Sequence, residues 1–190
     1  MKTFEIEFRC LINETEFEKL NTKLKKDGKY LGPDNKDTYF FLLPDKLLKV
    51  TKNASSAKAK ISLKMNRIGN GSDFEEIEIG IIPEDTEKAV KMFEMLGFDD
   101  GQSVFQFRDN YEYKDVTISI KYTESWGFHV ELETLVDDIS KKAAAEEHIR
   151  QVADQLGLTI MDEEHLKAFT AKIDDGWKRG EYSKSEFEQR

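Results

Sequence analysis

Seven residues near the N-terminus, Phe4-Glu-Ile-Glu-Phe-Arg-Cys10, alternate without a break between apolar and charged. Successive side chains of an extended chain point to opposite faces, so Phe4, Ile6, Phe8 and Cys10 share one face and Glu5, Glu7 and Arg9 the other. The pattern returns along the chain. Lys58, Lys60, Ser62 and Lys64 oppose Ala59, Ile61, Leu63 and Met65, and Glu76 and Glu78 oppose Ile77 and Ile79. Gln106 and Arg108 oppose Phe105 and Phe107; Thr117, Ser119 and Lys121 oppose Val116, Ile118 and Ile120. His129, Glu131 and Glu133 oppose Phe128, Val130 and Leu132. Strands at about 37–43 and 47–52, the second with Lys49 and Thr51 opposite Leu48 and Val50, bring the count to eight.

A sheet with one face in water explains any one of these strands. Two features favour something else. The polar faces carry carboxylate pairs at i, i+2 (Glu5/Glu7, Glu76/Glu78, Glu131/Glu133) and a row of lysines, a clustered set of functional groups. Eight strands in a meander also suit a closed barrel, which has no unpaired edges. The expected fold is α+β: an eight-stranded antiparallel closed barrel, or tunnel, with a polar interior, helices on its outside and a C-terminal helical appendage. Asn13-Glu-Thr-Glu16 reads as a capping box opening a helix with Phe17, Leu20 and Leu24 as its stripe and Gly28 as its stop. Glu84 to Leu96 reads as a second helix, Asp137 or Asp138 as the cap of a third running to about Leu156, and Asp162 as the cap of a fourth. Gly69-Asn-Gly71 marks a loop, and residues 176–190 read as a loosely held polar end apart from Trp177 and Phe187. Residues 1–135 form the expected tunnel domain. Residues 136–190 form a helical extension packed on it, because so short a piece would bury too small a core alone.

Composition narrows the function. A net charge of −9 over 190 residues argues against general nucleic-acid binding, but not against a basic cleft. No apolar run approaches the roughly 20 residues of a membrane span, and the first residues do not resemble a signal peptide. The single cysteine, Cys10, excludes an internal disulfide and a cysteine metal cluster. A cytoplasmic protein, monomer or homodimer, without nucleic-acid or membrane partners, is expected.

Alternate glutamates on one strand lie about 7 Å apart, so one ion needs carboxylates converging from neighbouring strands. Oxygen ligands favour Mg²⁺ or Mn²⁺ over zinc, and lysine and arginine in the same space would neutralise phosphate oxygens. His129 reads first as a hydrogen-bonded structural residue, Trp126 as an anchor at the tunnel rim, and Cys10 as a small buried hydrophobe.

The ordered set resembles the CYTH superfamily, the triphosphate tunnel metalloenzymes. Glu5-x-Glu7-x-Arg9 is similar to its N-terminal Glu-x-Glu-x-Lys signature. Asp37-Thr-Tyr-Phe40, Leu48-Lys-Val50, Leu63-Lys64, Glu76-x-Glu78, Arg108 and Gly127-Phe-x-x-Glu131-x-Glu133 follow in the family's order. The resemblance implies a tunnel that hydrolyses or cyclises a small-molecule triphosphate: inorganic triphosphate, thiamine triphosphate or a nucleoside triphosphate. It implies that Glu5, Glu7, Glu131 and Glu133 are catalytic and hold Mg²⁺ or Mn²⁺. Arg9, Lys49, Lys64 and Arg108 would grip the triphosphate, with Glu76 and Glu78 balancing them and Lys60 and Lys121 adding charge. Three positions depart from the pattern: Thr51 and Gln106 each remove a cation, and Lys121 stands where the family carries an aspartate metal ligand. Three functions are therefore carried forward: a metal-dependent triphosphatase, a class IV adenylyl cyclase making cyclic AMP from ATP, and a non-catalytic polyphosphate or nucleotide binder.

Overall fold

The computed structural model describes residues 4–65, 73–74, 76–98 and 101–182. The loop at Gly69–Gly71 and the terminal Phe187 lie outside them. The strands are β1 (Phe4–Leu11), β2 (Lys29–Pro33), β3 (Lys36–Leu42), β4 (Leu47–Asn53), β5 (Lys58–Lys64), β6 (Asp73–Phe74), β7 (Glu76–Ile81), β8 (Gly101–Tyr113), β9 (Val116–Thr123) and β10 (Gly127–Val136). The helices are α1 (Glu14–Asp27), α2 (Thr86–Met95), α3 (Lys142–Leu156) and α4 (Glu163–Lys178), with single 3₁₀ turns before α2 and α3.

All the pairings are antiparallel, in the order β6-β1-β10-β9-β8-β3-β4-β5-β7. The sheet curls until its two ends are supplied by one stretch of chain: Asp73–Phe74 pairs with β1, and Glu76–Ile81 pairs with β5. Counting that stretch once gives the eight strands the alternation requires. The addition is β2, which pairs with the distal half of the 13-residue β8. Its Lys-Tyr-Leu-Gly-Pro sequence lacks a period-2 pattern, so only its partner makes it a strand.

The apolar faces point outward, under the helices. Ile6, Cys10, Tyr111, Val116, Ile118, Ile120, Val130 and Leu132 form the larger core together with Leu20 and Leu24 of α1 and Ala145, Ile149, Val152 and Ala153 of α3. A smaller core joins Phe41, Leu48 and Val50 to Ala89, Val90 and Phe93 of α2. The helical extension and the barrel thus share one apolar interior through α3. Leaving water adds roughly 1.5–3 kcal/mol per large aliphatic side chain.

Local signals set the helix ends. Asn13 Oδ1 accepts from the Glu16 amide at 3.0 Å while Glu16 Oε2 accepts from the Asn13 amide at 2.8 Å, the reciprocal capping box. Gly28 follows α1 because a Cβ there would lie 3.0 Å from the Leu24 carbonyl oxygen and 3.2 Å from that of Glu112 on β8. Asp138 and Asp162 cap the turns that lead into α3 and α4. One expectation fails: α4 runs through Gly176 to Lys178. That glycine is buried, and a Cβ on it would meet the Tyr182 ring at 2.6 Å, so it serves close packing. No described helix is long and apolar enough to cross a membrane.

Candidate active site

The inward faces enclose a cavity of about 370 Å³, the size of a small-molecule site rather than a packing gap. All twelve residues singled out from the sequence line it: Glu5, Glu7, Arg9, Lys49, Lys60, Lys64, Glu76, Glu78, Arg108, Lys121, Glu131 and Glu133. Strand register brings them together. Arg9 is the cross-strand partner of Glu131, Glu7 of Glu133, Arg108 of Lys121, and Lys64 of Glu76.

Glu131 is the hub of one wall. Arg9 Nε donates to its Oε1 at 3.2 Å, Lys121 Nζ binds its Oε2, and Arg108 Nη1 lies 3.9 Å from that same oxygen. Burial opposes its charge, but Lys121, Arg9 and Arg108 together hold its carboxyl well below the usual range. Lys121 is only 2 % exposed, and burial with the neighbouring Arg108 pushes its ammonium down to about 7. Glu7 meets the Arg9 guanidinium on one side and Lys64 Nζ at 3.5 Å on the other. Burial and Glu131 outweigh these cations, and its carboxyl is pushed up to about 6. Glu133 is also raised, by burial, Glu7 and Glu131.

On the opposite wall Lys49 and Lys60 each pair with one carboxylate, while Lys64 reaches across to β1. Lys64 Nζ donates to Glu5 Oε1 at 2.9 Å, Lys49 Nζ lies 3.3 Å from Glu76, and Lys60 binds Glu78. Burial works against the Lys64 ammonium, yet Glu7, Glu5 and Glu76 raise it. Lys49 is driven down to about 8 by burial and Lys64.

Other lining residues carried no strong sequence signal. Lys36 reaches the cavity from β3, held by Asp34 Oδ2 at 2.7 Å; Asp34 also lies 3.4 Å from Arg108 Nε. Asn110, paired with Ser119, accepts from Arg108 Nε at 2.7 Å. Thr51 meets Thr38 hydroxyl to hydroxyl at 3.2 Å, so the position without the family's cation is closed by a neutral contact. His129 sits in the wall with its Nδ1 donating to the Gly127 carbonyl at 3.0 Å. Burial and Lys121 lower its imidazole to about 4, leaving it neutral with Nε2 as an acceptor. Trp126 stands between His129 and Phe169 of α4, its ring also 5.9 Å from the Arg9 guanidinium carbon. α4 adds Thr170, Ile173 and Asp174 to the lining, a contribution with no strand pattern to announce it.

A family model for the CYTH domain matches residues 3–164. The chain belongs to the CYTH family. The match runs past the strands, through α3 and into the start of α4. A curated protein of Methanocaldococcus jannaschii named "Putative adenylate cyclase MJ0240" is 33% identical over 85 residues, 45% of this chain and 47% of that protein, so the similarity spans about half of its length. The solved PH1012 protein of Pyrococcus horikoshii is 26% identical with a TM-score of 0.68, over 85% of this chain and 99% of that one. The Hippeastrum protein HpAC1, described as a putative adenylyl cyclase with a dominant triphosphatase activity, superposes with a TM-score of 0.59 at 18% identity, over 83% and 89% of the two chains. At that identity the likeness speaks for the fold.

CYTH enzymes depend on metal, which raises the question of where this CYTH chain could hold an ion. Among the described residues no three acidic or histidine side chains form a metal cluster. Glu131 is engaged by three cations and Glu5 by Lys64. The carboxylates that fit are the cross-strand neighbours Glu7 and Glu133, both raised (Glu7 by burial and Glu131; Glu133 by burial, Glu7 and Glu131), with Glu7 Oε1 buried and without a hydrogen bond. Two carboxylates completed by phosphate oxygens and water is the way Mg²⁺ is commonly held.

Proposed function

We propose that the protein binds a triphosphate compound in the tunnel and hydrolyses its phosphoanhydride. The observation that carries this reading is the convergence of Arg9, Lys49, Lys64, Arg108 and Lys121, all with ordered carboxylate partners, on one enclosed cavity. Three adjacent phosphoryl groups are the common small-molecule chemistry that matches so many cations held from several strands. Guanidinium groups grip phosphate oxygens in two-point fashion, and ammonium groups add point charge.

In this reading the phosphates take over the cations now held by Glu5, Glu7 and Glu131. Arg9 and Arg108 orient the phosphoryl group that reacts, while Lys64 and Lys49 hold the rest of the chain. A water oxygen bonds to that phosphorus and gives up its proton to solvent, the bridging P–O bond breaks, and the fixed cations stabilise charge on the departing oxygen. Glu7 and Glu133 would hold Mg²⁺ or Mn²⁺, which when bound polarises phosphate oxygens. Lys121 binds Glu131 where the family pattern has a carboxylate, so Glu131 serves to orient cations rather than to bind an ion.

A second reading is cyclisation of ATP, favoured by the similarity to a protein named as an adenylate cyclase. One incubation separates them. Pure protein with tripolyphosphate, thiamine triphosphate or ATP, with Mg²⁺ or Mn²⁺, is expected to release orthophosphate. Cyclic AMP with pyrophosphate would move the assignment to the cyclase. Binding without any product would leave a triphosphate-binding protein and overturn both catalytic readings.

A further inference from the structure

Arg108 is held by a link that belongs to no strand. The pairs Lys36–Gln106 and Pro33–Asp109 carry one register, which sets Asp34, between β2 and β3, opposite Arg108 on β8. The Asp34-Asn35 dipeptide grips that residue at three points. The Asp34 amide donates to the Arg108 carbonyl at 2.8 Å, Asn35 Oδ1 accepts from the Arg108 amide at 2.9 Å, and Asp34 Oδ2 lies 3.4 Å from Arg108 Nε. Asn110, two residues along β8, completes the clamp. Its Nδ2 donates to Asp34 Oδ2 at 3.3 Å, which turns its Oδ1 to accept from Arg108 Nε at 2.7 Å and from Ser119 Oγ at 2.8 Å. The carboxylate is itself fixed: Asn53 Nδ2 of β4 donates to Oδ1, and Lys36 Nζ lies 2.7 Å from Oδ2. Burial opposes its charge, but Lys36 and Arg108 hold its carboxyl below the usual range.

These contacts take the backbone and the Nε edge of Arg108. Its Nη1 stands on the other side, 3.9 Å from Glu131 Oε2, where both residues line the cavity. A guanidinium carries its donors in one rigid plane, so fixing one edge fixes the aim of the other. An arginine left to swing would lose that aim, and a misplacement of about 1 Å is enough to cost rate. We propose that Asp34 is a positioning residue: it fixes the Nε edge of Arg108, directly and through Asn110, and so aims the terminal nitrogens at the phosphoryl group that reacts. The proposal rests on the triphosphate reading above. Asp34 acts through Arg108 and not on the substrate, so its contribution disappears when Arg108 is absent.

The test is a double-mutant cycle on the full chain: Asp34→Asn, Arg108→Met and both together. Hydrolysis is followed with Mg²⁺ on whichever of tripolyphosphate, thiamine triphosphate and ATP turns over fastest, and Kd for the same compound is measured by calorimetry. Asp34→Asn keeps the side chain's shape and removes its charge. It is expected to lower kcat about tenfold and to change KM by less than about threefold, the split of an interaction realised in the transition state. In the Arg108→Met background the same substitution should change kcat by less than about twofold. Asn110→Ala, which reaches Arg108 from its other side, should show the same dependence and carries the test if Asp34→Asn does not fold; urea midpoints identify the folded variants. Losses in kcat that multiply in the double variant, or an unchanged kcat in folded Asp34→Asn, overturn the positioning role and leave the triphosphate reading standing. If the unmodified protein binds without turnover, the cycle is read on Kd by the same criterion of non-additivity. If it neither binds nor hydrolyses any of the three, the triphosphate reading fails and the positioning role falls with it.

Discussion

The two walls of the tunnel bury charge in different ways. Along β1, β10 and β9 the ions form a hub: three cations share Glu131, while Glu7 and Glu133 stand crowded beside it. Along β4, β5 and β7 they form a ladder of separate lysine–glutamate pairs, the outermost of them, Lys60 with Glu78, well exposed. The outer support differs in parallel. The hub wall is backed by the larger core with α1 and α3, and the ladder wall by the smaller core with α2. A hub fixes geometry because no member can leave without stranding the others. A ladder can exchange one carboxylate for a phosphate at a time. If the tunnel takes a triphosphate as proposed, the hub wall would orient the reacting group and the ladder wall would grip the chain behind it.

The largest contrast is expected from removing one carboxylate on each side. Glu131→Gln leaves three buried cations short of their counter-charge and should destabilise the ligand-free protein by about 3–5 kcal/mol. Glu78→Gln breaks a half-exposed pair and should cost about 1 kcal/mol or less. Urea unfolding with and without tripolyphosphate reads both, and the added anion should restore much of the stability of Glu131→Gln. Equal losses in the two variants would mean that hub and ladder are not distinct.

The support beneath the walls gives the next contrast. Ile149 of α3 is fully buried against the β1–β10 face, so Ile149→Ala should cost about 2–5 kcal/mol. Val90 of α2 is only partly buried, and Val90→Ala should cost about 1 kcal/mol. Denaturant midpoints measure both. A small effect at Ile149 would make the C-terminal helices a detachable appendage; a large one makes them part of the barrel's own fold.

Those helices also mark where the sequence stops being legible. Alternation placed the twelve charged residues on inward faces because a strand has only two faces and one of them must leave water. Which faces meet across the tunnel depends on register, so neither the Glu131 hub nor the Asp34–Arg108 contact could be read from spacing. β2 escaped because its residues follow no period of two. The apolar part of the lining was hidden for a different reason: in Phe40-Phe41-Leu42-Leu43 both faces are apolar, and a run of that kind reads as deeply buried without saying that one side is a cavity wall. The expected polar interior is there, with Phe40, Leu42, Leu47 and Val104 added to its lining. The polar composition from Gly176 onward hid the last turn of α4, because a glycine there makes room for the Tyr182 ring rather than ending the helix.

Cation removal sharpens the ladder side. Lys64 bridges both walls, with Glu5 at 2.9 Å and Glu7 at 3.5 Å. Lys64→Met should weaken tripolyphosphate binding by about 10- to 100-fold, the worth of a charge-assisted contact in an enclosed site. Lys60→Met, at the exposed end, should weaken it by about threefold or less. Calorimetric titration of both variants checks the gradient, and equal losses would place the phosphate chain along the whole ladder rather than at its inner end.

The smallest effect is the one whose sign is most diagnostic. Burial and the neighbouring Lys64 bring Lys49 down to about 8 in the folded protein, against an ordinary lysine above 10. Between about pH 8 and 10 the unfolded chain then binds the proton that the folded chain has released. Stability of the ligand-free protein should rise with pH across that window, since the cost of burying an ammonium disappears. Triphosphate affinity should move the other way, falling as the same ammonium is lost. Lys49→Met should reduce both slopes together, the remaining stability slope being the share of the buried Lys121, whose ammonium is pushed down to about 7. Parallel slopes of the same sign in the unmodified protein would remove Lys49 from the phosphate grip, and the ladder wall would then hold its ligand through Lys64 alone.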